Sequence, residues 1–461
     1  MNPAQEFLRR AAEKSADLAH RQIIRKNMDH YEARLAVGMA RFADWESARE
    51  QCAAIRQQAI EHLDEYLIEF EKNVKGHGGQ VFWAENSEEA RGYVTALARE
   101  RGVKRVVKSK SMVTEEIHLT SALEQEGCEV LESDLGEYIV QLRNEPPYHI
   151  VTPAIHLTRK DVFETFREKL PNVTHDDPAY LVSVARRVMR EAFFSAEMGI
   201  TGANFLVADV GMVAITTNEG NARLGTALPR IHVVVTGIEK VIPRLTDLAV
   251  LWPTLASAAT GQSLSAYNTL IGGPRREGEV DGPEEFHVVL VDNGRSELLG
   301  DPEQREVLRC IRCGACLNNC PVYRQVGGHT YGTTYQGPIG SVLTPHLRGA
   351  EFDHLAFASS LCGACTSGCP VKIDLHRHLL QNRRNAVERS SGSAWERTGF
   401  RVWQWVMRSP RRFASVGRLI RSLGRCANRV GVDPLREWTK HRSPLDLPKK
   451  SFRQMWRDGD V

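Results

Sequence analysis

Seven of the ten cysteines lie in two short runs, and each run ends in Cys-Pro. The first run has the spacing C-x2-C-x2-C-x3-C-P and comprises Cys310, Cys313, Cys316 and Cys320. The second has the spacing C-x2-C-x3-C-P and comprises Cys362, Cys365 and Cys369. Three thiolates on one loop bind three irons of a cubane cluster, while the fourth cysteine reaches a neighbouring cluster. The sequence therefore predicts a one-electron carrier with two iron–sulfur clusters of the [4Fe-4S] type.

Zinc and disulfides are the competing interpretations of these cysteines. Structural zinc takes four ligands, often as two separated pairs, whereas the first run places four cysteines within eleven positions. Disulfides belong to oxidising compartments, and the first residues are charged, with no apolar leader before a small-residue cleavage site. Both observations favour iron–sulfur clusters in a cytoplasmic protein.

The cross-over rule of two-cluster ferredoxins divides the cysteines between the clusters. Cluster one takes Cys310, Cys313, Cys316 and Cys369. Cluster two takes Cys320, Cys362 and Cys365. Cluster two is then one thiolate short, because Ser359 stands where a full second motif has its first cysteine. Three alternatives stay open: a non-cysteine or distant fourth ligand such as a serine oxygen, a [3Fe-4S] cluster, or a ligand from a partner.

The elements around the cysteines predict an α/β + α fold in four segments. Residues 1–79 have apolar positions at helical spacing, and residues 80–299 alternate strands and helices, which favours a three-layer α/β domain with a largely parallel sheet. Residues 300–381 form the ferredoxin-like cluster domain, and residues 382–461 form a basic helical tail. Strands are predicted at 81–83, 105–107, 129–131, 138–141, 149–152, 205–208, 212–215, 231–235 and 288–291. Helices are predicted at 87–101, 114–126, 159–170 and 178–198.

A second candidate site lies in the α/β segment, where polar residues follow predicted strands. Lys110 precedes a helix and can attract an anion, although capping of that helix by Ser111 explains the segment equally well. His149 and His156 can transfer protons or bind metal, although separately satisfied surface and core groups are the favoured interpretation of them. Glu219 lies in a polar turn that either holds a ligand or only ends a hairpin. Neither a Rossmann G-x-G-x-x-G after a strand nor a P-loop motif is present.

Charge is unevenly distributed along the chain. Residues 371–461 contain 21 Lys and Arg against 8 Asp and Glu, a net charge of +13, so the preceding residues carry about −10 of the total +3. The tail also contains Trp395, Trp403, Trp405, Trp438 and Trp456. These residues predict either a helical cap with buried tryptophans or a docking surface for a partner. No uninterrupted apolar stretch approaches a membrane span, no nucleic-acid fold signature is present, and peripheral membrane contact stays open.

Eight stretches carry a resemblance to a known family. They are SKSMVTEEI (109–117), DLGEYIVQL (134–142), PPYHIVTPAIH (146–156), GITGANFLVADVG (199–211), TTNEGNARL (216–224), CIRCGACLNNCPVY (310–323), GPIGSVLTP (337–345) and SSLCGACTSGCPVKID (359–374). Together they resemble the bacterial lactate utilization protein B family from about residue 20 to the end of the chain. The absence of a cysteine at Ser359 departs from two-cluster ferredoxins but not from this family.

The resemblance implies a cytoplasmic electron-transfer subunit for the oxidation of L-lactate to pyruvate. It implies two sister proteins as partners, one with cysteine-rich repeats and one that is a stand-alone α/β domain. It also implies an α/β domain similar to the sugar-phosphate isomerase and CoA-transferase group, and cluster ligands at the seven cysteines of the two runs. Two alternatives are that the α/β domain is itself the 2-hydroxy-acid dehydrogenase, and that the protein is an iron–sulfur redox sensor or scaffold.

Overall fold

The computed structural model describes residues 2–389, 394–429 and 448–460. These residues divide into two compact units, one ending at Ala386 and the other beginning at Val387. The first three predicted segments therefore belong to one unit, while the finer division into four segments stays a prediction. None of the helices in the described ranges is both long and apolar enough to cross a membrane.

The first unit begins with four helices and continues with alternating strands and helices. The helices are α1 (Pro3–Ala16), α2 (Leu18–Met39), α3 (Trp45–Glu61), α4 (Leu63–Gly76), α5 (Ser87–Glu100), α6 (Met112–Glu116), α7 (Leu119–Gln125), α8 (Leu135–Leu142), α9 (Arg159–Lys169), α10 (Pro178–Ser195), α11 (Asn221–Ala227), α12 (Leu248–Thr260) and α13 (Arg295–Leu299). The strands are β1 (Gln80–Ala84), β2 (Arg105–Lys108), β3 (Glu129–Glu132), β4 (Met198–Thr201), β5 (Phe205–Val207), β6 (Met212–Thr217), β7 (Ile231–Gly237), β8 (Val241–Ile242), β9 (Tyr267–Ile271) and β10 (Glu285–Val291).

Six of these strands form a parallel sheet in the order β1-β10-β7-β4-β2-β3. The central strands β7 and β10 are almost entirely buried and apolar, as is typical of a sheet covered on both faces. Helices α5, α6 and α7 cover one face. Helix α4 and a smaller sheet of order β8-β5-β6-β9 cover the other. The prediction of a mixed α/β segment with a parallel sheet is confirmed.

The cysteine runs lie among short helices that share a hydrophobic core with the α/β segment. These helices are α14 (Ala315–Asn318), α15 (Pro321–Val326), α16 (Gly337–Arg348), α17 (Ala364–Ser367) and α18 (Leu375–Glu388). In the described part of the chain, 3-10 turns lie at Ile238–Lys240, Leu245–Asp247, Arg305–Arg309, His329–Tyr331 and Ala350–Phe357. One apolar core contains residues of α2, α3 and α12 together with Leu317, Tyr323 and the buried cysteines. The cysteine loops are thereby held against the α/β segment.

Four local predictions are wrong. The helix predicted at 114–126 is interrupted, because His118 has a left-handed φ of 53° between α6 and α7. Residues 138–141 are helical, because Asp134 Oδ1 accepts a hydrogen bond from the Glu137 N–H (3.1 Å) and caps α8. Residues 149–152 form a bend, because His149 Nδ1 accepts hydrogen bonds from the N–H groups of Val151 (3.1 Å) and Thr152 (3.3 Å). The helix predicted at 178–198 ends at Ser195, and Met198 begins β4.

The second unit contains α19 (Ala394–Met407), α20 (Pro410–Arg429) and α21 (Phe452–Asp458). Its four described tryptophans are exposed, with exposed fractions of 87 % for Trp395, 59 % for Trp403, 54 % for Trp405 and 66 % for Trp456. The interpretation that tryptophans form the core of a cap is therefore wrong for these four. Trp438 lies outside the described residues.

Candidate functional site

The seven cysteines of the two runs are free thiols that fall into two groups. Burial raises the pKa of Cys316, and nearby Cys310, Cys313 and Cys369 raise it further. In the second group, burial together with Cys320 raises the pKa of Cys365 to about 11. Cys362 in turn raises the pKa of Cys320, after the larger effect of burial. These neighbours are compatible with the cross-over rule, and the assignment of the seven cysteines to two clusters stays a prediction.

The two groups differ in their exposure to solvent. All members of the first group are buried, with at most 9 % of their surface exposed. In the second group Cys320 and Cys365 are buried, whereas Cys362 is exposed. Hydrogen bonds from the N–H of Ala364 and the hydroxyl of Ser360 lower the pKa of Cys362. The first group therefore lies inside the unit, and the second reaches its surface.

Backbone amides point at several of these sulfurs. The N–H of Arg312 donates to Cys310 Sγ (3.4 Å), that of Tyr323 to Cys320 Sγ (3.5 Å) and that of Ile373 to Cys369 Sγ (3.3 Å). Amide donors of this kind stabilise negative charge on the sulfurs that bind iron and tune the reduction potential of the cluster. Buried free thiols with amide donors fit iron–sulfur ligands.

A network of buried charges holds the first cysteine loop against the α/β segment. Glu239 Oε2 accepts a hydrogen bond from Arg295 (2.6 Å), and its Oε1 pairs with Arg312 (3.2 Å), which lies between two cysteines. Burial opposes ionisation of Glu239, but Arg295 and Arg312 lower its pKa to about 2. A buried ion network of this kind keeps its geometry because removing one member leaves an unpaired charge.

Arg56 of α3 makes the same connection through carbonyl groups. Its guanidinium is 1 % exposed and donates to the carbonyl groups of Val241 (2.6 Å), Leu308 (3.1 Å) and Arg309 (3.2 Å), and also to that of Glu239. Leu308 and Arg309 directly precede Cys310. Arg56 thus ties the N-terminal helices and the α/β segment to the start of the first run.

A cavity of about 760 Å³ lies where strands of the parallel sheet end at their carboxyl termini. Ligands of open α/β sheets bind at this edge, and the volume is that of a small-molecule site. Thr236 at the end of β7 and Lys110 after β2 line one side. Arg312, Cys313 and Tyr335 line the other side. The cavity therefore joins the α/β segment to the first cysteine group.

The cavity wall contains polar groups without partners. Lys240 is 6 % exposed, and its Nζ makes no hydrogen bond or ion pair with any residue in the described part of the chain. Burial and then Arg312 lower its pKa to about 8. Thr236 Oγ1 and Asn221 Oδ1 are also buried in the wall without a hydrogen-bond partner among the described residues. Because unpaired buried polar groups are costly, this wall is suited to a polar ligand.

The structure brings together only two of the four residues of the predicted α/β site. Lys110 and Glu219 line the cavity. Lys110 Nζ contacts Asp134 Oδ2 (3.4 Å) and donates to the Val151 carbonyl (2.8 Å). Burial alone would lower the pKa of Lys110, but Asp134 raises it above the usual value. Ser111 caps the helix after Lys110, since its Oγ accepts from the Thr114 N–H (3.3 Å).

The two histidines of the predicted site lie outside this cavity. His149 is fully buried beside Asn318 Oδ1 (3.1 Å), and burial lowers its pKa to about 3, so it stays neutral. His156 bonds Glu145 (2.9 Å) and stacks on Tyr148. Glu145, His156 and His329 each place one ligand-type atom within 4.8 Å of the others. These histidines contribute to packing and hydrogen bonding around the cysteine loops.

Sequence reasoning missed the residues that make the cavity distinctive. Lys240, Thr236 and Asn221 carry no motif, and Arg56 is one of many arginines on amphipathic helices. Among the residues of this region, only Arg312 could have been singled out from the sequence, because it lies inside the first cysteine run.

Three family models match the chain in order. They are described as LUD domain (residues 67–291), 4Fe-4S dicluster domain (306–373) and lactate utilisation protein B, C-terminal (380–461). Curated relatives named lactate utilization protein B, from Bacillus thuringiensis (strain Al Hakam) and Bacillus anthracis (strain A0248), are 47 % identical over 422 residues. Each alignment covers 90 % of this chain and 89 % of the relative. A solved DUF162 family protein from Deinococcus radiodurans matches 50 % of this chain and 98 % of its own, at 15 % identity and a TM-score of 0.28, too low to support an argument.

Proposed function

The chain belongs to the lactate utilization protein B family, and we propose that it carries electrons in the oxidation of L-lactate to pyruvate. The observation that carries this proposal is the pair of cysteine groups within a matched 4Fe-4S dicluster domain. Cys310, Cys313, Cys316 and Cys369 would hold one cluster, and Cys320, Cys362 and Cys365 a second. The bound clusters would each accept and release one electron at a time.

The residues around the cysteines support this role through burial and charge. Burial of the first group excludes water from its sulfurs, and amide donors at Cys310 and Cys369 stabilise thiolate charge. Arg312 adds a positive charge beside Cys310. Burial lowers the pKa of the Arg312 guanidinium, but the nearby Cys310 raises it, and the net pKa lies above the usual value. These groups favour retention of an anionic cluster in a protein interior.

Iron and sulfide analysis with EPR on anaerobically purified protein tests the proposal. Wild-type protein should contain two reducible clusters, and Cys316→Ala should lose the signal of one. Cys52→Ala is the matched control, because Cys52 is also buried but its Sγ contacts the Val250 carbonyl (3.7 Å) in the α/β segment. A colourless protein that contains zinc would contradict the proposal.

Growth on L-lactate tests the biological assignment. Deletion of the gene should abolish this growth, and the wild-type gene but not Cys316→Ala should restore it. Unaffected growth of the deletion strain would remove the assignment to L-lactate.

A second candidate function is that the α/β segment itself binds the 2-hydroxy acid, and the unpaired Lys240 in the cavity favours it. A carboxylate would neutralise this buried ammonium group, and Cys313 in the same wall would place the acid beside the first cysteine group. Loss of a charged hydrogen bond costs about 1.5–3 kcal/mol, so Lys240→Met should weaken binding of L-lactate or pyruvate about tenfold to a hundredfold.

Calorimetric titration of the anaerobic protein measures this binding. Lys240→Arg should retain most of the affinity, and Lys160→Met, at an exposed position of α9, should retain all of it. Unchanged iron content in each variant separates loss of the ligand from loss of a cluster. Wild-type protein that binds neither acid, or equal affinity in Lys240→Met, would contradict this candidate.

Location and partners belong to the same proposal. We propose a cytoplasmic complex with two sister proteins, one with cysteine-rich repeats and one that is a stand-alone α/β domain. The exposed Cys362 and the basic second unit support contacts at the surface. A relationship of the α/β segment to the CoA-transferase and sugar-phosphate isomerase folds is proposed on its parallel sheet alone.

A further inference from the structure

The two cysteine runs repeat the same backbone conformation. Arg312 and Leu361, which precede the second cysteine position of each run, both have left-handed φ angles, of 59° and 54°. The glycines that follow that position, Gly314 and Gly363, have φ angles of 79° and 81°. Each run then enters a four-residue helix, α14 or α17. The two runs therefore share these left-handed φ angles and the helix that follows, and their common spacing aligns Ser359 with Cys310.

The side chain of Ser359 makes the hydrogen bond that Cys310 makes in the first run. Cys310 Sγ accepts from the N–H two residues later, at Arg312 (3.4 Å). Ser359 Oγ accepts from the N–H two residues later, at Leu361 (3.1 Å). The shared donor orients both side chains in the same way relative to the cysteines that follow. Arg383 further fixes this backbone by donating to the Ser359 carbonyl (2.7 Å).

We infer that Ser359 Oγ is the fourth protein ligand of the second cluster, an inference that rests on the proposed function. Ser359 occupies the position that a ligand has in the first run, its Oγ makes the matching hydrogen bond, and Arg383 fixes its backbone. An oxygen therefore lies where the first run has a sulfur. Ser360 corresponds to Ile311 in the first run, and its hydroxyl donates a hydrogen bond to Cys362 Sγ instead of taking the place of a ligand. The thiols of Cys52 and Cys128 are not candidates for this ligand position, because they donate to the carbonyl groups of Val250 and Val103.

A serine oxygen changes the chemistry of the cluster without changing its ligand charge. A deprotonated hydroxyl carries the same charge as a thiolate, but oxygen is the harder donor and favours the more oxidised iron. The second cluster should therefore have a more negative reduction potential than its counterpart with four cysteines.

Three variants of the full-length protein, purified anaerobically, test this ligand. Ser359→Cys should keep a [4Fe-4S] cluster with a less negative potential and altered EPR g-values for the second cluster only. Ser359→Ala should lose one iron per chain and, after one-electron oxidation with added ferricyanide, show the EPR signal of a three-iron centre. Ser360→Ala is the comparison variant: because the Ser360 hydroxyl donates to Cys362 Sγ, its loss should shift the potential of the second cluster but leave the iron content equal to that of the wild type.

The outcomes separate this inference from the proposed function. If wild-type protein has two clusters and Ser359→Ala keeps the iron content, EPR spectrum and potential of the wild type, Ser359 is not a ligand and only this inference fails. The same holds if Ser360→Ala converts the cluster while Ser359→Ala does not. Wild-type protein without any reducible cluster would instead end the proposed function.

Discussion

Replacement of Gly314 by alanine tests how tightly the first cysteine run is packed against the α/β segment. Gly314 has a φ of 79°, and a Cβ there would lie 3.0 Å from both His149 Cε1 and Val151 Cγ2. Gly127, in the turn after α7, has a φ of 83° but no atom within 4 Å of a Cβ. Alanine at either position therefore has the same unfavourable backbone conformation, but only at position 314 does its Cβ also collide with neighbouring side chains.

The expected magnitudes follow from these two contributions. A non-glycine residue in the left-handed region costs about 1–2 kcal/mol, so Gly127→Ala should lower the free energy of unfolding by about that amount. Overpacking adds about 1–3 kcal/mol, so Gly314→Ala should lose about 2–5 kcal/mol in total. His149 cannot easily move, because it is fully buried and hydrogen-bonded to Asn318.

Guanidinium unfolding of the anaerobic proteins measures this difference, with circular dichroism for the fold and visible absorbance for the clusters. Gly314→Ala should lose cluster absorbance at a lower denaturant concentration than Gly127→Ala. Equal midpoints for the two variants would refute the argument that the cysteine loop is packed against the bend at His149.

Two further predictions concern charge. Burial lowers the pKa of His232 from 6.5 to about 3. Below about pH 6.5 the unfolded chain therefore binds more protons than the folded chain, and the free energy of unfolding should fall as the pH drops. In denaturant midpoints measured against pH, His232→Asn should flatten this slope, whereas His175→Asn, at an exposed position, should not. Helix α20 contains six arginines and no acidic residue, so the protein should sediment with anionic but not neutral vesicles at low salt, and Arg418→Glu with Arg421→Glu should abolish this. Equal slopes, or equal binding to neutral vesicles, would count against the respective prediction.

Local patterns predicted the features that depend on near neighbours. Strands β7 and β10 are buried and contain the apolar stretches 233–235 and 288–291, which is the signal of a covered parallel sheet. The cysteine spacing predicted a two-group arrangement because the loops that position these thiols are short. Residues 138–141 were ambiguous, since a short apolar run suits either a strand or a buried helix, and the cap at Asp134 decides for the helix.

The cavity depended on contacts that no local pattern contains. Lys240 follows β7 and looks like an ordinary surface lysine in sequence, yet it is buried in the wall of a cavity that the first cysteine loop also lines. Lys110 and Glu219 share the cavity because β2 and the turn after β6 meet at one edge of the unit. His149 was a candidate for proton transfer beside the favoured interpretation as a satisfied core group, and its burial beside Asn318 agrees with the latter.

The positions of Cys313 and Cys362 argue for a direction through the protein under the proposed assignment. Cys313 is 7 % exposed and lines the cavity, so the first group faces a site suited to a small polar ligand. Cys362 is exposed, so the second group faces solvent or a partner protein. Electrons from a ligand in the cavity would therefore enter at the first cluster and leave at the second. Ser359 belongs to the second run and is half-buried. Under the inference that its Oγ is a ligand, replacing Ser359 should change the rate of electron transfer from the second cluster to a partner.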